Sequence, residues 1–362
     1  MTQQIGVGVV GFGLAGRVFH APFISAVPGL RLVSIVERTG NAAAQAYPQV
    51  QIARSLDELL TNPEVQLVVV ASPNATHFEF ARQALNAGRD VVIDKPFTST
   101  SSEARELIAL AKTKGRLLAP FHNRRWDGDF LTLRKLLEEK KLGRLVTFES
   151  HFDRFRPMAR QGTWKEASGP GHGLLFDLGP HLIDQAVALF GVPESLTASV
   201  RTDRENSAIE DAFDIRLDFG STHERLTVWC RSTMIAAEPS PRFLLHGTHG
   251  SFRKFGVDPQ EPAILAGRTI PTLGTGEWLG EEAAAWGTLT LAPDPHDPRN
   301  LLTSTVQTLP GDYRLFYANV RDALHGEVPL AVSAEDGATA IYLLELARES
   351  SRIGRTLAVH PH

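Results

Sequence analysis

Residues 5–16 read Ile5-Gly6-Val7-Gly8-Val9-Val10-Gly11-Phe12-Gly13-Leu14-Ala15-Gly16, and this stretch decides the fold. Its first six residues form a short, β-branched run that is apolar on both faces, the pattern of a buried parallel strand. Three glycines follow at G-x-G-x-x-G spacing. Gly11 permits a tight turn, Gly13 lets the backbone approach a pyrophosphate, and Gly16 lets the next helix pack close to the strand. A helix opening here points free N–H groups and about half a positive charge at phosphates. The spacing alone is a weak signal, but its context strengthens it. A second strand pattern, residues 30–36, ends at an acid, Glu37, about 20 residues beyond the last glycine. The stretch predicts a dinucleotide site on Gly11, Phe12, Gly13, Leu14, Ala15 and Gly16, with Glu37 beside the adenosine ribose.

Working outward, strand and helix signals alternate through the first third of the chain, which predicts a parallel, doubly wound sheet. Strands are expected at 51–53, 65–71, 90–94 and 116–121. Ser55 with Glu58, Thr76 with Glu79 and Thr100 with Glu103 have capping-box spacing, and Gly88 and Gly115 suit helix C-termini. The pattern then changes. Helices are expected at 129–140 and 173–190, and a strand at 145–153. Period-two runs follow at 195–202, 212–219 and 224–232, with shorter strand candidates at 243–246 and 251–255. Strands in succession imply a second, mostly antiparallel sheet with one face covered and one open. Residues 256–300 are rich in Gly and Pro and read as irregular excursions. A last helical pattern covers 335–351. The expected fold is α/β, with domains at 1–122 and 123–332 and a C-terminal helix and tail, 333–362, packing back near the first domain.

The chain has 362 residues, a hydrophobic content of 43% and a net charge of −4, which leave no basic footprint for nucleic acid or an anionic membrane. No run approaches 18 uncharged apolar residues, and the first apolar run is a strand, not a signal core. The one cysteine, Cys230, alternates with Leu226 and Val228 and reads as a buried strand residue of a cytoplasmic protein.

In an open α/β sheet, ligands bind at the carboxyl ends of the strands. Three loops there carry polar groups: Ser72-Pro73-Asn74-Ala75-Thr76-His77, Asp94-Lys95-Pro96 and His122-Asn123-Arg124-Arg125-Trp126. A fourth cluster, Asp177-Leu178-Gly179-Pro180-His181-Leu182-Ile183-Asp184, lies in the second domain. Asp177 and His181 are one helical turn apart and share a face. Lys95 precedes a proline, so its side chain can leave the strand end toward a substrate and stabilise charge developing on an alcohol oxygen. His181 can exchange a proton near neutral pH, with Asp177 or Asp184 fixing its tautomer. Each cluster also has a bland reading, a solvated strand-end lysine and a helix-surface pair. Together they gain weight because all would lie where a nicotinamide ends up. His151, Asp153, Arg154, Arg156 and Trp164 line either a polyol pocket or an exposed, charged sheet edge. No cysteine cluster or H-E-x-x-H motif supports a metal, and none is expected.

The combination of the glycine motif, Ser72-Pro73-Asn74…His77, Asp94-Lys95-Pro96 and Gly171…Asp177…His181 resembles the Gfo/Idh/MocA oxidoreductases over essentially the whole chain. His122-Asn123-Arg124-Arg125-Trp126-Asp127, Phe152-Asp153-Arg154-Phe155-Arg156-Pro157 and Asp258-Pro259-Gln260-Glu261 are similar to a subgroup that includes NADP-dependent scyllo-inositol dehydrogenases. The resemblance implies a Rossmann domain, an open sheet used in oligomer contacts (a homodimer or homotetramer) and a catalytic set of Lys95, Asp177 and His181. It implies a cofactor site extended by Ser72, Pro73, Asn74, His77, Asp94, Lys95, Asn123 and Arg125. It also implies a polyol or sugar site on Lys95, His122, Arg154, Arg156, Trp164, Asp177 and His181. Two departures stand out. Asp94 replaces the family's usual glutamate, and Glu37-Arg38 replaces the subgroup's serine–arginine pair. A carboxylate about 4 Å from a phosphate charge costs about 4 kcal/mol at an effective dielectric of 20. Glu37 therefore favours NAD, while Arg38 and the subgroup favour NADP, and the cofactor is NAD(P) with both open. Two other readings stay in view: NAD-assisted glycoside hydrolysis or lysis, and a non-catalytic NAD(P) sensor.

Overall fold

The computed structural model describes residues 4–160, 166–220, 222–223, 225–294, 296–297 and 299–360. The chain forms two compact units. The first comprises Met1–Trp126, Pro259–Leu279 and Asp312–Ile341; the second comprises Asp127–Asp258, Gly280–Gly311 and Tyr342–His362.

The first unit holds a six-stranded, all-parallel sheet in the order β3-β2-β1-β4-β5-β6. These strands are Ile5–Val10 (β1), Leu30–Val36 (β2), Gln51–Ala53 (β3), Leu67–Val70 (β4), Asp90–Ile93 (β5) and Leu118–Pro120 (β6). Every residue of β1 and of β4 is buried, as expected of strands covered on both faces. The strand order reverses at β1, so the loops after β1 and β4 flank the crevice where such sheets bind ligands. The helix after the glycine loop starts with a wide π turn, Gly16–His20, in which Ala21 N–H donates to Gly16 O. Pro22, which has no N–H to continue a regular ladder, follows at once.

Two of the three expected helix caps form. Ser55 Oγ accepts from Glu58 N–H at 3.1 Å, and the Thr100–Glu103 box is complete. The third does not. Residues 74–76 make a 3₁₀ turn leading directly into the helix His77–Asn86, so Thr76 already has helical backbone angles. Its hydroxyl turns back to Pro73 O at 2.7 Å, and Glu79 bonds Arg82 and Gln83 instead.

The returning segments complete the first unit's core. The helix Arg314–Leu324 inserts Phe316, Tyr317 and Val320 among Val7, Val9, Ile35 and Phe121. Phe121 and Phe316 meet edge to face with centroids 4.8 Å apart. Motif residues brace these returns: Arg124 reaches Glu261 at 3.1 Å, and Gln260 Oε1 accepts from Tyr313 N–H at 2.9 Å.

The second unit carries a nine-stranded sheet ordered β14-β13-β12-β11-β7-β10-β9-β8-β15. Its strands are Leu145–His151 (β7), Ser195–Arg201 (β8), Ala212–Asp218 (β9), Thr227–Thr233 (β10), Phe243–Gly247 (β11), Gly250–Lys254 (β12), Gly287–Leu291 (β13), Leu302–Val306 (β14) and Leu357–Ala358 (β15). The β7–β10 pair is parallel and the others antiparallel. Phe148, Val228, Leu217, Leu196 and Leu245 lie in register and are buried. The helix Leu174–Phe190 covers this side, packed on β10 and β9. The other face shows Glu149, Trp229, Arg216, Arg231 and Asp214, with Arg231 stacked on Trp229 at 4.4 Å. Cys230 is buried, and burial pushes its thiol up to about 12. Residues 256–300 depart from the irregular reading: they hold the helix Gln260–Leu265 and strand β13. β13 has a single fully inward apolar side chain, Leu289, too little alternation to stand out among glycines and prolines.

Candidate active site

In the first unit, the three glycines of the turn have different surroundings. Gly11 has a φ of 105°, and a Cβ there would meet Ala71 O at 2.7 Å. A Cβ on Gly16 would meet Gly11 O at 2.0 Å, so the helix lies against the turn. Gly13 is exposed and a Cβ on it would meet nothing within 4 Å. That open backbone is the side a pyrophosphate can approach, so the loop fits a dinucleotide. Phe12 packs edge to face on Tyr47, while Leu14 is exposed.

Glu37 ends β2. Its Oε1 accepts from Ala42 N–H at 3.0 Å and its Oε2 from Ala43 N–H at 3.1 Å. The carboxylate thus holds the loop 38–41 closed, and Arg54 closes it from outside by donating to Glu37 O and Gly40 O. Arg38 is exposed beside it. Each carboxylate oxygen keeps acceptor capacity for a ribose hydroxyl.

The loops after β4 and β5 are joined by His77. Its ring nitrogens lie 2.8 Å from Pro96 O and 2.9 Å from Ser72 O. Burial pushes its pKa below the usual value, against the pull of Asp94. Ser72 Oγ also bonds Thr76 Oγ1, which orders the Pro73-Asn74 turn. Asp94 Oδ1 accepts from Lys95 N–H at 2.8 Å. Burial acts to raise the Asp94 pKa, but His20 and Lys95 outweigh it and hold the carboxyl below its ordinary value. Lys95 is half-buried at the strand end. After β6, His122 and Asn123 are buried. Arg125 pairs with Asp336 at 3.2 Å and donates to Ala331 O at 2.8 Å.

In the second unit, Asp177 and His181 lie one turn apart on the helix Leu174–Phe190, which is apolar nearly all round. His181 and Asp184 are buried, and Asp177 is half-buried. Arg154 Nη1 donates to Asp177 Oδ2 at 3.1 Å. This partner was not part of the sequence reading, which paired Asp177 with His181 alone. Residues 152–156 continue along β10 and beyond, with Arg154 N–H on Thr233 O and Arg156 N–H on Met234 O. Arg156 is half-buried, and burial lowers its pKa. His151 lies 3.2 Å from Glu149 and 3.8 Å from Asp153. Trp164 falls outside the described residues. Two residues of the first unit escaped the sequence reading, His20 and Tyr317, whose ring nitrogen and hydroxyl are 2.5 Å apart. His20 lies one turn beyond Gly16 on a helix facing the sheet, a spacing that could have revealed it.

A parallel sheet with a glycine turn at its switch point, joined to a second unit with an open sheet, defines a dinucleotide-dependent oxidoreductase. The model for "Oxidoreductase family, NAD-binding Rossmann fold" matches residues 5–122, and that for "Oxidoreductase family, C-terminal alpha/beta domain" matches residues 134–359. The chain belongs to the Gfo/Idh/MocA oxidoreductase family and is a dehydrogenase or reductase. It is 41% identical to the uncharacterized oxidoreductase YdgJ of Escherichia coli, over 99% of this chain and 100% of that one. It is 35% identical to the scyllo-inositol 2-dehydrogenase (NADP(+)) IolW of Bacillus subtilis, over 98% and 96%. An oxidoreductase structure from Bacillus cereus superposes with a TM-score of 0.87 at 31% identity, covering 99% of each chain. Among the described residues no helix is long and apolar enough to cross a membrane.

Proposed function

We propose that this chain moves a hydride between a nicotinamide and a secondary alcohol carbon of a sugar or cyclitol, with a scyllo-inositol-like ring as the model substrate. The observation that carries the reading is the placement of Asp177 and His181 one turn apart on a buried, apolar helix, a costly site for polar groups that only pack. The likeness to a scyllo-inositol dehydrogenase over nearly the full chain supports it.

Bound NAD(P) would supply the hydride acceptor or donor. Its pyrophosphate would be held by the turn Gly11–Gly16, with Gly13 giving the approach, and Glu37 and Arg38 would face the adenosine ribose. Ser72, Pro73, Asn74, His77, Asp94, Asn123 and Arg125 shape the rest of that surface. Lys95 Nζ donates to the alcohol oxygen and stabilises the charge that develops on it. His181 takes or gives the hydroxyl proton. Asp177, held by Arg154, orients that pair. We assign polyol binding to Arg154, Arg156, Trp164 and His122 as well. The open face of the second sheet, with its mixed charges and Trp229, takes a second copy of the chain in a homodimer or homotetramer, and the protein works in the cytoplasm.

A panel of inositol isomers and sugars, assayed for reduced nicotinamide with NAD and NADP separately, tests the reading. Turnover of a polyol with net cofactor reduction is expected. Glycoside cleavage without net reduction would move the chain to the NAD-assisted hydrolase reading, and no turnover of either kind would leave the sensor.

A further inference from the structure

His20 and Tyr317 form a buried polar pair with no part in the scheme above. Both are fully buried. His20 Nδ1 lies 2.5 Å from the Tyr317 hydroxyl, and its ring sits 4.4 Å from that of Phe121. The π turn Gly16–His20 aims the ring inward, and the returning helix Arg314–Leu324 brings the tyrosine. The other ring nitrogen, Nε2, lies 3.7 Å from Asp94 Oδ1 and makes no hydrogen bond. A ring nitrogen buried without a hydrogen bond costs free energy. What Nε2 faces is the carboxylate that receives the Lys95 N–H at 2.8 Å.

We propose that His20 and Tyr317 are positioning residues for Lys95. Tyr317 fixes the imidazole, the imidazole confines the Asp94 carboxylate, and that carboxylate holds the Lys95 backbone so that its side chain leaves the strand in one direction. His77 grips the same segment through Pro96 O. The short Asp94 side chain keeps its carboxylate at the strand end, within reach of both the following N–H and His20. The lowered Asp94 pKa agrees with a carboxylate kept charged by its neighbours despite burial. The inference rests on Lys95 acting at the substrate oxygen.

The test uses the full chain with scyllo-inositol, or the best polyol from the panel, and the variants His20→Leu, Tyr317→Phe and Lys95→Ala. His20→Leu should lower kcat by about tenfold to a hundredfold, the scale of a misplaced reacting group. Tyr317→Phe, which keeps the ring, should lower it by a smaller factor. Fluorescence-measured dissociation constants for reduced cofactor should stay within about threefold in both, because the glycine turn is untouched. A second readout needs no turnover. The NMR signal of ¹³C-dimethylated Lys95, assigned by its loss in Lys95→Ala, should shift or broaden in both variants. Unchanged kcat and an unchanged Lys95 signal in a folded His20→Leu or Tyr317→Phe would overturn the inference alone. Wild-type turnover by Lys95→Ala would overturn the reading beneath it, and the inference with it.

Discussion

The two units build their share of the chemistry by different means. In the first, backbone sterics decide. A Cβ on Gly16 would sit 2.0 Å from Gly11 O, and Gly11 itself needs a positive φ. In the second, side-chain electrostatics decide: Asp177 is held by Arg154 from a different element, on a helix that is apolar nearly all round. Steric requirements leave a short, local mark in sequence, whereas an ion pair across 23 residues leaves none. The same difference sets how each half should respond to change.

The largest effect is expected at Gly16. Gly16→Ala forces the helix off the turn, and strain of this kind costs about 1–3 kcal/mol, occasionally more. Thermal unfolding should show a large drop in Tm, and an unchanged Tm would break the steric account. Gly13→Ala sharpens the contrast. With open space around it, the added methyl should leave Tm in place yet weaken cofactor binding by at least about tenfold, or 1.4 kcal/mol. Equal effects at the two glycines would contradict their separate roles.

In the second unit the sign reverses, with activity more sensitive than stability. Arg154→Ala removes an ion pair whose members are about a third exposed, so it should cost less than about 1 kcal/mol of stability. It should lower kcat by about tenfold if Arg154 orients Asp177. A kcat near wild type would reduce the pair to surface decoration.

Effects of similar or smaller size are expected at the two carboxylates of the first unit. Glu37→Gln keeps an acceptor for the Ala42 or Ala43 N–H while removing the charge. It should move the NADP-to-NAD ratio of kcat/KM upward by about tenfold, less than the full Coulomb cost because solvent screens it. An unchanged ratio would mean that Glu37 serves only the loop. Asp94 gives a pH signature. Its folded pKa lies below the ordinary value, so the stability it adds is present above the unfolded pKa of about 3.9 and is lost as pH falls through the folded value. Denaturation midpoints of the wild type and Asp94→Asn should differ most near neutral pH and converge in acid. A gap that widens in acid would contradict the assignment.

Much of the fold was legible because parallel strands buried on both faces read as apolar runs and glycine turns have fixed spacing. Both sheets and the helix carrying Asp177 and His181 follow from such patterns. The rest was hidden for physical reasons. Strand β13 buries only Leu289 fully, so its alternation drowns among glycines and prolines. The Thr76–Glu79 spacing promised a cap, yet the preceding 3₁₀ turn had already spent the threonine hydroxyl. His20 and Tyr317 meet across 297 residues of sequence, a pairing that no local pattern records.

The measurement that bears most directly on the proposed chemistry is the kinetics of His181→Ala, Lys95→Ala and their combination, with a polyol that the wild type turns over. Each single substitution should lower kcat by about 10² or more. Cofactor dissociation constants should change far less, and the double variant should cost less than the sum of the singles in free energy, as expected of groups that act as one unit. Near wild-type turnover by Lys95→Ala would contradict the mechanism outright. The same result for His181→Ala alone would move proton transfer to another group, with His122 the first to test.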